Sequence, residues 1–100
     1  MMSELPSADV IITNPTHYAV ALRYDKEREQ APIVIAKGVD KIALKIKDIG
    51  RENLIQIIEN PPLARQLYGS AELNEIIPEN LYKAVAEVLA FVFKSKNKTL

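Results

Sequence analysis

Thr13-Asn14-Pro15-Thr16-His17-Tyr18 is the stretch of this chain whose residue types and order could carry a reaction. An asparagine ordinarily ages when the next residue's backbone N–H attacks its side-chain amide. Pro15 has no N–H, so that route is closed at Asn14. The reverse attack stays open. The Asn14 carboxamide nitrogen adds to the Asn14 backbone carbonyl, the Pro15 nitrogen leaves, and the chain is cut with a succinimide on the new C-terminus. A carboxamide is a poor nucleophile, so it must lose a proton as it adds. The developing oxyanion needs donors, and the prolyl nitrogen must be protonated to depart. A constrained turn that holds the side chain over its own carbonyl supplies the proximity. His17, the single histidine, is a candidate for proton transfer or for orienting the turn, and Thr16 offers a hydroxyl and a backbone N–H. The ordinary readings stand beside these: Asn-Pro as a tight β-turn, and His17 as an exposed or structurally bonded imidazole.

No other constellation competes. Without cysteine and with one histidine, disulfides, thiol catalysis and the common zinc arrangements are excluded, and no metal site is expected. Gly38 and Gly69 belong to no phosphate-cradling pattern, so no cofactor is expected either. Glu59, Glu72, Glu75, Glu79 and Glu87 are scattered carboxylates of a solvated surface. Thirteen basic residues against thirteen acidic ones leave no formal net charge, which argues against a nucleic-acid partner. Apolar runs fall far short of the ~20 residues that span a bilayer, and no basic, apolar leader opens the chain. One hundred residues, 48% of them hydrophobic, suit a single domain over 1–100 with one core.

The elements that must position the Asn-Pro segment read as follows. Asp9–Thr13, Ala19–Tyr24, Ile33–Ala36 and Leu54–Ile58 are strand-like. Several are near-continuous apolar runs, the pattern of strands covered on both faces. Between the third and fourth, Val39, Ile42, Ala43, Ile46 and Ile49 recur at helical spacing, with Lys41, Lys45, Lys47 and Asp48 opposite. Gly38 marks the strand-to-helix turn and Asn53 the stop. Gly50, inside the last turn, implies close packing. Asn60 is the expected N-cap of a second helix, with Pro61 first inside it and Gly69 at its end. Pro78-Glu79-Asn80 opens a third helix with the apolar stripe Leu81, Val85, Val88, Leu89 and Val92. It runs to about Phe93, before a polar tail over 94–100. Asp25 to Gln30 reads as an exposed loop. The order β-β-β-α-β-α-α predicts an α/β fold: a mixed, four-stranded β-sheet flanked by about three α-helices, its strand order left open.

With these residues in view, the chain resembles the cytoplasmic domain of the FlhB/YscU family, self-cleaving export-switch proteins of flagellar and injectisome type III secretion. The likeness rests on Asn14-Pro15-Thr16-His17 with Ala8–Thr13 before it and Tyr18–Leu22 and Tyr24 after it. It continues through Ala31-Pro32, Ala36-Lys37-Gly38, Glu59–Arg65 with Leu67-Tyr68, Ile77-Pro78, Leu81-Tyr82 and Ala84–Ala90. Residues 5–93 are covered, and the Pro61-Pro62 pair and the Ala84–Ala90 block are similar to the flagellar branch. Ser7 departs from the Lys common in flagellar members. The membrane domain and charged linker of the family are not in this sequence, and Met1-Met2-Ser3 resembles the linker's end, so an excised domain is expected over a soluble paralogue.

The resemblance implies single-turnover cleavage between Asn14 and Pro15, with Asn14, Pro15, Thr16 and His17 as the site, rather than catalysis in trans. It implies that the two pieces stay together and that export preference switches from rod and hook-type to filament-type substrates. It places the domain at the cytoplasmic face of the bacterial inner membrane, tied to it only through the missing N-terminal segment. The implied partners are export substrates and other export-gate proteins. The alternative is a docking module in which scission is incidental and exposed groups such as Arg65, Tyr68 and the Asp25–Gln30 loop carry the function.

Overall fold

Strand β1 (Val10–Asn14) is buried at every residue, because it is paired on both edges and covered on both faces. Residues 1–96 are described by the computed structural model. On one edge β1 runs antiparallel to β2 (Tyr18–Arg23), which pairs antiparallel with β3 (Ile33–Val39). On the other it runs parallel to β4 (Gln56–Glu59), giving the order β3-β2-β1-β4. This is the mixed four-stranded sheet that the sequence predicts. The crossover helix α1 (Asp40–Glu52) carries the chain from β3 past two strands to β4.

Side chains alternate across the sheet. Val10, Ile12, Val20 and Leu22 meet α2 (Pro61–Ser70) and α3 (Tyr82–Ser95), with Leu63, Leu67, Val85 and Leu89 closing that core. Ile11, Ala19, Ala21, Ile35 and Ala36 meet Ala43 and Ile46 of α1 and Leu5 of a 3₁₀ turn over Met2–Ser7. Each fully buried Val or Ile of β1 contributes about 1.5–3 kcal/mol. A Cβ on Gly50 would collide with Cδ1 of Ile11, so α1 approaches β1 closely there, as the glycine implies. Asn53 caps α1, and Asn60 caps α2 by accepting from the Leu63 N–H at 3.3 Å.

Several expectations need correction. Gly38 is not the turn: it lies within β3 opposite Ala19, where a Cβ would strike Ile42, and the residue that turns is Asp40 with φ 51°. Ile42 does not face the core and is half exposed, because α1 buries only Ala43, Ile46 and Gly50 fully. Leu54 is no strand residue. It sits at φ 58° in the α1–β4 turn, 88% exposed. Helix α2 passes Gly69 and stops at Ser70, and α3 is preceded by a 3₁₀ turn over Glu79–Leu81. Lys94 and Ser95 extend α3 rather than forming a tail, and 97–100 lie outside the described residues. The Asp25–Gln30 stretch is not wholly exposed: the Glu29 side chain is 6% exposed against Arg23, 2.7 Å away.

Candidate functional site

Asn14 closes β1 opposite Tyr18, the first residue of β2, so Pro15, Thr16 and His17 form a three-residue turn at the end of the ladder. Among the described residues, Thr13 and Asn14 are the two buried polar ones, and buried polar groups require partners. The Thr13 carbonyl accepts from the Asn60 N–H at 2.9 Å, tying the strand end to the start of α2. The Asn14 Oδ1 accepts from Thr16 Oγ1 at 3.1 Å and from the Thr16 N–H at 3.4 Å. Its Nδ2 has no hydrogen-bond partner among the described residues. The carboxamide is therefore held by its oxygen while its nitrogen is left unengaged.

The backbone carbonyl of Asn14 is the group that this nitrogen would attack. Its oxygen accepts from the His17 N–H at 3.0 Å, a donor placed where negative charge would develop. Pro15 leaves no competing N–H between them. The four residues singled out in the sequence thus meet in one turn, but they divide the task unexpectedly. The His17 imidazole makes no hydrogen bond to Asn14. It lies outward, 61% exposed, with Nδ1 4.0 Å from Oδ1 of Asp40, and tilts against the Tyr18 ring. The part of His17 that touches the Asn14 carbonyl is its main chain.

Three further elements hold the turn, and sequence reasoning missed most of them. The Asp40 N–H, at the start of α1, donates to the His17 carbonyl at 2.9 Å. The Tyr18 ring stacks on Tyr68 of α2 at 4.9 Å between centroids. Lys37 of β3 lies 5.2 Å over the Tyr68 ring, and its ammonium donates to the carbonyls of Tyr68 (3.1 Å) and Ala71 (2.9 Å). Tyr68 is half-buried in this stack, which corrects its reading as an exposed docking group, while Arg65 is exposed. Lys37 and Tyr68 stood within the blocks of family likeness. Asp40 carried no local signal beyond an acid at a helix start.

Among the described residues no three His, Cys, Asp or Glu side chains converge as a metal would require, and no helix is long and apolar enough to cross a membrane.

The turn geometry coincides with a sequence match over most of the chain: the model of the FlhB HrpN YscU SpaS Family matches residues 1–92. The chain belongs to this family. The flagellar biosynthetic protein FlhB of Bacillus subtilis (strain 168) is 55% identical over 98 residues, which are 98% of this chain and 27% of that protein. FlhB of Salmonella typhimurium is 56% identical over 96 residues, 96% of this chain and 25% of that protein. The chain therefore spans about a quarter of the length of these FlhB relatives. Among solved structures, the cytoplasmic domain of FlhB from Shewanella putrefaciens superposes with a TM-score of 0.89 at 55% identity, covering 93% of this chain and 77% of that one. A mutated EscU C-terminal domain superposes at 0.87 with 32% identity, covering 91% of both. The fold, the family and the flagellar likeness read from the sequence agree with these FlhB matches.

Proposed function

We propose that this FlhB-family domain is part of a flagellar type III export apparatus and cuts its own main chain once, between Asn14 and Pro15. The cut resets which substrates the apparatus exports at the cytoplasmic face of the inner membrane. The observation that carries the chemical half is the double hold on Asn14: its carboxamide oxygen sits on Thr16, while its backbone oxygen accepts the His17 N–H at 3.0 Å.

In the reaction, Asn14 Nδ2 bonds to the Asn14 backbone carbon and releases a proton to water. The oxyanion is held by the His17 N–H. The bond to the Pro15 nitrogen then breaks as that nitrogen takes up a proton. Residues 1–14 end in a succinimide that one water opens, and residues 15–100 begin with a free prolyl amine. The imidazole, outward beside Asp40, orients the turn in this scheme. The fragments stay together because β1 remains paired with β2 and β4, and its core residues remain buried. The freed piece is the turn, whose position is what export substrates and neighbouring gate proteins would sense.

Intact mass and denaturing electrophoresis test the cut. The purified chain should yield fragments 1–14 and 15–100, and Asn14→Ala should leave it whole. A parent chain still intact after prolonged incubation at neutral pH would falsify self-cleavage. A transient fragment one water lighter than the final 1–14 product identifies cyclisation.

The docking reading draws on a different feature, an open apolar groove lined by Tyr24, Ala31, Pro32, Tyr82 and Leu89. Pull-downs of early and late export substrates with the Asn14→Ala domain separate the two. Unchanged preference assigns the function to docking, and altered preference to the cut.

A further inference from the structure

Asp40 stands at a backbone bend that few residue types adopt, Asp and Asn among them. Its φ of 51° lies in the left-handed region, which glycine enters freely and other residues rarely. The nearest glycine, Gly38, stands two residues earlier with ordinary backbone, so the chain does not place its flexible residue at the bend. Asp40 also does not cap the helix it begins: Val39 is the N-cap, and no side chain caps it.

What the bend achieves is directional. The Asp40 N–H, aimed by the extended Val39 before it, donates to the His17 carbonyl at 2.9 Å, and the left-handed φ turns the chain into α1 directly after that bond. The same residue brings its carboxylate to 4.0 Å from the His17 Nδ1. His17 is thus bonded at its carbonyl and flanked at its ring by the Asp40 carboxylate, and its own N–H points at the Asn14 carbonyl, 3.0 Å away. A three-residue turn without those grips could rotate its peptide planes, and the alignment on the Asn14 oxygen would be lost.

We infer that Asp40 is a positioning residue for the scissile bond. Its backbone N–H, donated to the His17 carbonyl, and its carboxylate, beside the imidazole, together hold His17 so that the His17 N–H stays on the Asn14 carbonyl. This rests on the self-cleavage reading above, but it assigns a role to a residue of another element, 26 positions along the chain from Asn14.

Three substitutions separate positioning from mere support. Asp40→Asn keeps a side-chain oxygen and a residue type that tolerates the left-handed region. Asp40→Gly keeps the backbone geometry without strain but has nothing to reach the imidazole. Asp40→Val cannot hold the bend. If Asp40 only supports the fold, cleavage should follow thermal stability, and the glycine variant should cut at least as fast as the asparagine one. Positioning predicts a different order. Asn cuts close to the parent rate, Gly about three- to fivefold more slowly as expected for loss of one exposed polar contact, and Val slowest. Thermal melts of the same proteins show that Gly has not lost stability.

A second measurement uses the Asn14→Ala chain, which cannot cut. There the His17 backbone amide proton reports its hydrogen bond by NMR, and Asp40→Gly should shift it while Asp40→Asn leaves it near the parent position. A glycine variant that cuts at the parent rate with an unmoved His17 amide overturns the inference. A parent chain that never cuts overturns self-cleavage instead, and the amide shift still decides whether Asp40 holds His17.

Discussion

The turn after β1 and the connection after β2 both join antiparallel neighbours, yet they are held in opposite ways. The longer connection ties itself. Arg23 grips Oε1 of Glu29 through Nε at 2.9 Å and NH2 at 2.7 Å, Glu29 Oε2 accepts from the Asp25 N–H, and the Asp25 carbonyl accepts from the N–H groups of Arg28 and Glu29. The Asp9 carboxylate fastens its start by accepting from the Tyr24 N–H at 2.8 Å. The Pro15–His17 turn does little of this. Its internal bonds all end on Asn14, and the rest of its support comes from outside: Asp40 from α1 on His17, and, on the flanking Thr13 and Tyr18, Asn60 from the start of α2 and Tyr68 from within α2. A loop that satisfies its own polar groups is a closed unit. A turn held from other elements can keep one amide nitrogen unengaged, and the proposed cut would leave its surroundings in place.

Four substitutions break or sharpen that contrast. The largest effect belongs to Ile12→Ala, which removes a wholly buried side chain between β2 and β4. It should lower stability by about 2–5 kcal/mol in urea unfolding, and in the cut protein residues 1–14 should separate on size exclusion. Arg23→Ala comes next, because it leaves the Glu29 carboxylate buried without its partner. A loss of about 1–3 kcal/mol is expected, with the cleavage rate unchanged, since the self-tied loop holds nothing at Asn14.

Tyr68→Leu should have a smaller effect on stability, about 0.5–1.5 kcal/mol for the lost ring stack. Unlike Arg23→Ala it should slow the cut, because it releases Tyr18 at the end of the turn. If time courses show both variants cutting at the parent rate, the two loops do not differ as described. His17→Ala is the mildest. An exposed imidazole far from the core should change stability by no more than about 0.5 kcal/mol, and the retained backbone N–H should let cleavage continue, though more slowly. Complete loss of cutting at unchanged stability would make the imidazole the proton carrier in place of water.

Much of this protein is legible locally. The continuous apolar runs announce strands buried on two faces, and β1 and β2 have that burial. The stripe of α3 and the cap at Asn60 follow from side-chain spacing and from one oxygen reaching one N–H. Asn14-Pro15 announces its chemistry for the same reason: the missing N–H of a proline is a property of two neighbouring residues and needs no fold. The readings that failed were those in which neighbours in space outweigh neighbours in sequence. Ile42 fits a helical stripe, but only the part of α1 close to Ile11 and Ile35 is covered. Gly38 resembles a turn residue, but tight contact with Ile42, not backbone freedom, accounts for it.

The composition and order of residues alone determined the class of fold and the bond for which cleavage is proposed. The tertiary structure decided which groups surround that bond. With β1 set between β2 and β4, the strand end at Asn14 lies where β3 hands over to α1 and β4 to α2. Asp40 reaches the three-residue turn, and Asn60 and Tyr68 reach the strand ends on either side of it, only because the sheet adopts that order. Pairing between distant strands depends on contacts that no local pattern encodes, so the support of the site became readable only in three dimensions.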